Sequence, residues 1–170
     1  MPLGGLILMS KPPTNVRGRM EATLDEHGLT ERLGDALFPP EHWHQSLSGI
    51  HEDTPGMLET LMQVGNAINA ESALMRFDHI GDSGGRQWSF LPRNEPGGFS
   101  ELISEVRRSM SLWGLDMAFR NRPQVPISYR APEDLRPVEI DSIDWKLDRY
   151  TLVRRRRHPF GYDTLKEWRL

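Results

Sequence analysis

The sequence predicts an α+β protein of two similar lobes that face each other across a cleft. Three observations carry this reading. Stretches with strand character alternate with stretches of helical periodicity along the whole chain. Each half runs strand, helix, strand, with 38 residues from Leu6 to His44 and 36 from Trp88 to Gln124. A chain of 170 residues, 37% hydrophobic and 26% charged, is long enough to bury a core without covalent staples.

Taken in order, Leu6 to Met9 is a short apolar strand closed by Lys11-Pro12-Pro13. Val16 to His27 reads as a helix with Asn15 as N-cap and Gly28 as its stop. Leu29 to Pro40 is a connection, and His42 to Ile50 a strand bounded by turn residues. From Pro55 to Asn69, Met57, Leu58, Leu61, Met62, Val64 and Ile68 make one apolar helical face. Leu74 to Ile80 and Arg86 to Leu91 are strands joined by the glycine-rich turn 81–85. Phe99 to Trp113 is a helix ended by Gly114. Phe119 to Tyr129 is strand-like, but Pro123 and Pro126 restrict it to a sheet edge or a bulge. Ile143 to Val153 reads as one long strand, and Tyr162, Leu165, Trp168 and Leu170 anchor a final strand or turn.

The absence of cysteine excludes a disulfide scaffold, a thiolate zinc site and a cysteine nucleophile. The net charge of −3 hides an uneven distribution. Residues 1–100 carry 7 basic and 13 acidic side chains, whereas the rest carry 14 basic and 11 acidic. Of the 21 basic residues 18 are arginines, whose planar fork suits phosphate. The run Arg154-Arg155-Arg156-Arg157 is the strongest local charge feature and reads as a solvated loop or an anion-facing patch. No apolar run approaches the roughly 20 residues that cross a bilayer. Leu6 to Met9 is too short for a signal-peptide core and has no basic residue before it, so a cytoplasmic protein without membrane contact is expected.

The stretch from Glu41 to Gly49 is the most informative for chemistry. In a strand, His42, His44, Ser46 and Ser48 would share one face, with Trp43, Gln45 and Leu47 on the other. A histidine two positions before a hydroxyl is a compact phosphate-handling unit: the imidazole exchanges a proton near neutral pH and the hydroxyl donates to a phosphate oxygen. Read without that chemistry, the segment is a solvent-facing polar strand. His42 with His44 also allows a metal-dependent site, with His51, Asp53 or His79 as third ligand. The glycine pairs 84–85 and 97–98 lack phosphate-loop spacing and read as turns. Trp88, Trp113, Trp145 and Trp168 lie in apolar periodic segments and read as core.

His44-Gln45-Ser46-Leu47, Phe77 to Gly81, Gln87 to Leu91, the helix 99–113, Trp145 to Val153 and Gly161 to Leu170 follow a recognisable order. In that order and spacing the chain resembles the two-histidine phosphoesterase superfamily, in particular its 2′-5′ RNA ligase and 2′,3′-cyclic phosphodiesterase branch. The resemblance covers nearly the whole chain. It implies one bilobal domain over residues 1–170, with antiparallel sheets, outer helices and a central cleft. It also implies cleavage or joining of 2′,3′-cyclic or 2′-5′ phosphodiesters in RNA or nucleotides, with no cofactor, since two imidazoles do the proton work. A monomer is expected.

The second motif of that family, Pro-His-Val-Thr-Leu, stands here as Pro123-Gln124-Val125-Pro126-Ile127. Gln124 occupies the histidine position and Pro126 the hydroxyl position. Glutamine hydrogen-bonds phosphate oxygens but exchanges no proton in this pH range. The expected catalytic residues are therefore His44 and Ser46. The expected phosphate- or RNA-binding residues are Gln124, Ser128, Arg122, Arg130, Arg154 and Arg156. His42, His79, His158 or Tyr129 would have to replace the second histidine; otherwise the protein binds its ligand without turnover.

Overall fold

The computed structural model of the chain describes residues 4–116 and 121–170. Eight strands form two four-stranded antiparallel sheets. They are β1 (Gly5–Ser10), β2 (Gln45–Ser46), β3 (Ala73–Gly84), β4 (Gln87–Leu91), β5 (Val125–Ser128), β6 (Val138–Leu147), β7 (Arg149–Arg157) and β8 (Phe160–Arg169). The first sheet has the order β2-β1-β7-β8 and the second β5-β4-β3-β6. The helices are α1 (Thr14–Glu26), α2 (Leu29–Leu33), α3 (Pro55–Ala67) and α4 (Phe99–Leu112). The strand–helix–strand repeat is present in both halves. β1 and β2 pair antiparallel across the excursion of α1, as β4 and β5 do across α4. The two short strands that end these units, β2 and β5, are sheet edges.

The helix ends follow local chemistry. Thr54 caps α3, its hydroxyl accepting from the Met57 N–H at 3.2 Å, with Pro55 in the first turn. α1 starts at Thr14, so Asn15 lies inside it and Pro13 occupies the cap position without a side-chain hydrogen bond. Gly28, at φ 69°, stops α1 in a left-handed conformation that other residues resist. The connection 29–40 contains α2 and two 3₁₀ turns, Gly34–Ala36 and Pro40–His42.

α3 packs on β1, β7 and β8 and also against α4, which packs on β3. α1 follows a strand of the first sheet yet lies against β6 of the second, where an Arg19 Nη donates to the Asp144 carbonyl at 2.8 Å. One apolar cluster runs through both sheets, joining Leu6, Leu8 and Leu152 to Phe77, Phe90 and Val106. Gly65 is fitted to its neighbour: a Cβ there would stand 2.4 Å from the Trp168 ring. That ring stacks on Tyr150, whose hydroxyl donates to the Gly65 carbonyl at 2.7 Å.

Three expectations are corrected. The strand over 42–50 shrinks to Gln45–Ser46, because Pro39-Pro40 starts a 3₁₀ turn that absorbs His42. The single strand over 143–153 is two strands in different sheets, broken at Asp148. Burial falls on Ile143, Trp145 and Leu147, then changes phase to Tyr150 and Leu152, and the chain crosses between lobes at that slip. The four-arginine run is no loop; it is the end of β7, paired with β1 and β8. The strand over 119–129 is confined to β5, an edge strand with a register shift between Ser89 and Trp88, in keeping with its prolines. Phe119 and Arg120 lie outside the described residues.

Candidate active site

The edges β2 and β5 bring the two lobes together, and the Gln45 side chain joins them. Its Nε2 donates to the Arg122 carbonyl at 2.8 Å, and its Oε1 accepts from the Gln124 N–H at 2.7 Å. The Asn121 amide donates to the Ser46 carbonyl at 3.0 Å, and the Phe38 N–H to the Ile127 carbonyl at 2.8 Å. Gln45 is almost completely buried, so its amide replaces water for backbone groups that neither sheet pairs.

Beside this junction lies a cavity of about 390 Å³ lined by Phe38, Pro39, His42, His44, Pro126, Tyr129, Phe160 and Tyr162. Both lobes contribute, since Pro126 belongs to β5 and Phe160 and Tyr162 to β8. His44 is 8% exposed. Its Nδ1 lies 2.7 Å from the His42 carbonyl, which can only accept, so Nδ1 carries the hydrogen and Nε2 keeps a free lone pair. Tyr162 packs edge-on to His44 with ring centroids 5.2 Å apart, and the His42 ring meets both Phe160 and Tyr162. Burial is the main reason that the His44 pKa falls to about 4; the Lys11 and His42 charges push the same way. His44 is therefore neutral at pH 7. Burial lowers His42 too, with the Lys11 and Arg156 charges acting in the same direction.

Of the eight site residues expected from sequence, only His44 lines this cavity. Ser46 is half-buried at β2 and shares the face of its partner Met9. Gln124 is held at its backbone by Gln45, and its Oε1 accepts from Gln87 Nε2 at 3.4 Å. Ser128 is fully buried and accepts from the Arg130 N–H at 3.2 Å, because the register shift in β5 takes it out of phase with Pro126. Arg122 is exposed, and the Arg130 guanidinium donates to the Asp35 carbonyl at 2.9 Å. Arg154 is paired with Asp53 at 2.7 Å and Arg156 with Asp163 at 2.8 Å, so carboxylates already occupy both guanidinium groups.

Among the possible substitutes for the second histidine, His42 and Tyr129 share the cavity with His44. His79 pairs with Asp78, and His158 lies with the arginine run. Among the described residues, no three His, Asp or Glu side chains form a group able to hold a metal ion. Sequence reasoning missed Gln45, Phe38, Phe160 and Tyr162 as site residues. A glutamine between Trp43 and Leu47 on a buried face was a signal for the first. The period-two pair Phe160 and Tyr162, once 160–169 is taken as a strand, was a signal for the last two.

The arrangement of the two sheets and their helices is shared with solved structures that match along almost the full chain. E. coli LigT in complex with 3′-AMP superposes with a TM-score of 0.79 at 18% identity, over 99% of this chain and 98% of LigT. This chain has the LigT fold. A protein described as a phosphoesterase matches at 0.71 and 19% identity over 98% of each chain. TT0787 of Thermus thermophilus matches at 0.73 and 20% identity, over 98% of this chain and 97% of its own. LigT has also been crystallised with ATP, with phosphate and with NADP+. No family model matches the sequence, and no curated protein matches it. The likeness is therefore one of fold, in keeping with the two-histidine phosphoesterase resemblance seen in the motifs. No helix among the described residues is long and apolar enough to cross a membrane.

Proposed function

We propose that this chain is a divergent two-histidine phosphoesterase whose cleft engages a 2′,3′-cyclic or 2′-5′ phosphodiester of RNA or a nucleotide, with one motif histidine where two are usual. One observation carries the reading: the His42 carbonyl holds the His44 Nδ1–H, leaving a neutral Nε2 in the inter-lobe cavity. That nitrogen is suited to accept the proton of an attacking hydroxyl or water. Its low basicity makes it a weak base, and Gln124 provides no acid for the leaving oxygen. Each positioned proton transfer contributes about 10²–10⁴ in rate, so turnover is slow. The binding of 3′-AMP and phosphate by LigT supports a phosphate ligand for the shared cleft.

The test is hydrolysis of 2′,3′-cyclic AMP and of cyclic-phosphate-ended RNA, with and without chelator, by wild type, His44→Ala and Gln124→His. Slow hydrolysis that is lost in His44→Ala and raised in Gln124→His is expected. Hydrolysis indifferent to His44, or abolished by chelator, overturns this chemistry. A second reading, binding without turnover, is favoured by Gln124 and Pro126 standing where a proton donor and a hydroxyl are expected. Binding of the cyclic nucleotide with no product in any variant decides for it.

A further inference from the structure

A phosphodiester brings a negative charge into a cavity walled largely by Phe38, Pro39, Pro126, Phe160 and rings, where His44 is neutral. Burying that charge without a cation is costly. Of the arginines expected to supply one, Arg122 is exposed and outside the cavity lining, Arg130 donates to the Asp35 carbonyl, and Arg154 and Arg156 are already paired with Asp53 and Asp163. Residue alternation along β7 puts Arg155 on the opposite face from both. Its register partner on β8 is Tyr162, whose ring packs against His44, and residues directly opposite on paired strands share a face. Ser46 belongs to this face through Met9, and Ile7, Met9, Val153 and Tyr162 form its apolar floor.

Arg155 Nε is shielded from solvent and has no hydrogen-bond partner among the described residues. Its charge acts on Tyr129 and Tyr162 alike, one from each lobe and both in the cavity wall. Lys11, whose Nζ stands 5.8 Å from the Tyr162 ring centroid, places a second cation beside that ring.

We infer that Arg155, on the cleft face of β7 beside Tyr162 and with its Nε unpartnered, is the residue that binds the anionic group of the ligand. This rests on the phosphodiester reading of the cavity for the identity of the ligand. It also extends that reading. The charge is held by the first sheet, at the Tyr162 side of His44, and not by the Gln124–Pro126 segment. A guanidinium is matched to a non-bridging oxygen pair, so the site takes a phosphate or phosphodiester and gains little from an uncharged nucleoside.

The experiment measures equilibrium binding of 2′,3′-cyclic AMP, inorganic phosphate and adenosine by calorimetry. The proteins are wild type, Arg155→Gln, Arg155→Lys and, as a control for general surface charge, Arg157→Gln. Loss of a charged hydrogen bond weakens binding about 10- to 100-fold. Arg155→Gln is expected to lose that much for both anions and nothing for adenosine, Arg155→Lys to recover part of it, and Arg157→Gln to change by less than about 3-fold. If wild type and Arg155→Gln bind cyclic AMP equally, the inference fails while the phosphodiester reading stands. If wild type binds phosphate through Arg155 but not cyclic AMP, the inference stands and that reading fails. If wild type binds neither anion, both fail.

Discussion

His44 couples the cavity to the stability of the whole fold. Its pKa lies at about 4 in the folded protein, chiefly because the ring is buried, against 6.5 for an exposed imidazole. Between these values the unfolded chain carries a proton that the folded chain refuses. The unfolded state therefore binds more protons, and stability falls as the pH is lowered from 6.5 toward 4. At pH 5 the unfolded imidazole is almost fully protonated and the folded one almost fully neutral. From the two pKa values, the loss on going from pH 8 to pH 5 is about 2 kcal/mol. With a urea dependence of about 1–3 kcal/mol/M, the midpoint moves by about 1 M.

His42 and His51 are also lowered by burial and act in the same direction, so the assay must be a difference. Urea unfolding of wild type and His44→Gln is followed at pH 8 and pH 5. Wild type is expected to lose about 2 kcal/mol more than the variant across that interval. Parallel loss in the two proteins would refute the placement of His44 as a desolvated, neutral imidazole.

Three further outcomes are expected. Gln45→Leu leaves the Gln124 N–H and the Arg122 carbonyl unpaired at the lobe junction; it costs about 3 kcal/mol in denaturant unfolding and speeds hydrogen exchange at the Gln124 amide. Gly65→Ala drives a methyl into the Trp168 ring and lowers stability by about 1–3 kcal/mol, with a changed tryptophan fluorescence spectrum. Asp53→Asn releases the partly exposed Arg154 pair and changes stability by less than about 1 kcal/mol, because solvent already screens it. A larger loss would mean that the pair supports the position of β7.

Much of the fold was legible because its signals are local. Thr54-Pro55 starts α3, Gly28 stops α1, Gly114 follows α4, and the prolines confine Val125–Ser128 to an edge. The similar spacing of Leu6–His44 and Trp88–Gln124 marked two related units whose last strands meet. The slip in burial phase at Asp148 was also present in the chain. What it meant, a passage from one sheet to the other, depends on strand partners far away in sequence.

The candidate site divides in the same way. Residue type alone determined that no cysteine thiol takes part, that His44 opens a His-x-Ser pair, and that glutamine and proline stand where the resemblance puts a histidine and a hydroxyl. Tertiary structure decided which charges are available. Arginines 154 to 157 are equivalent in a string of letters, but strand alternation turns successive ones to opposite faces, and the long-range partners Asp53 and Asp163 take Arg154 and Arg156. Tertiary structure also decided that His44 is buried and neutral and that Gln45 bridges the lobes. Burial and cross-sheet pairing are properties of what the fold packs around a side chain, and no local stretch of sequence contains them.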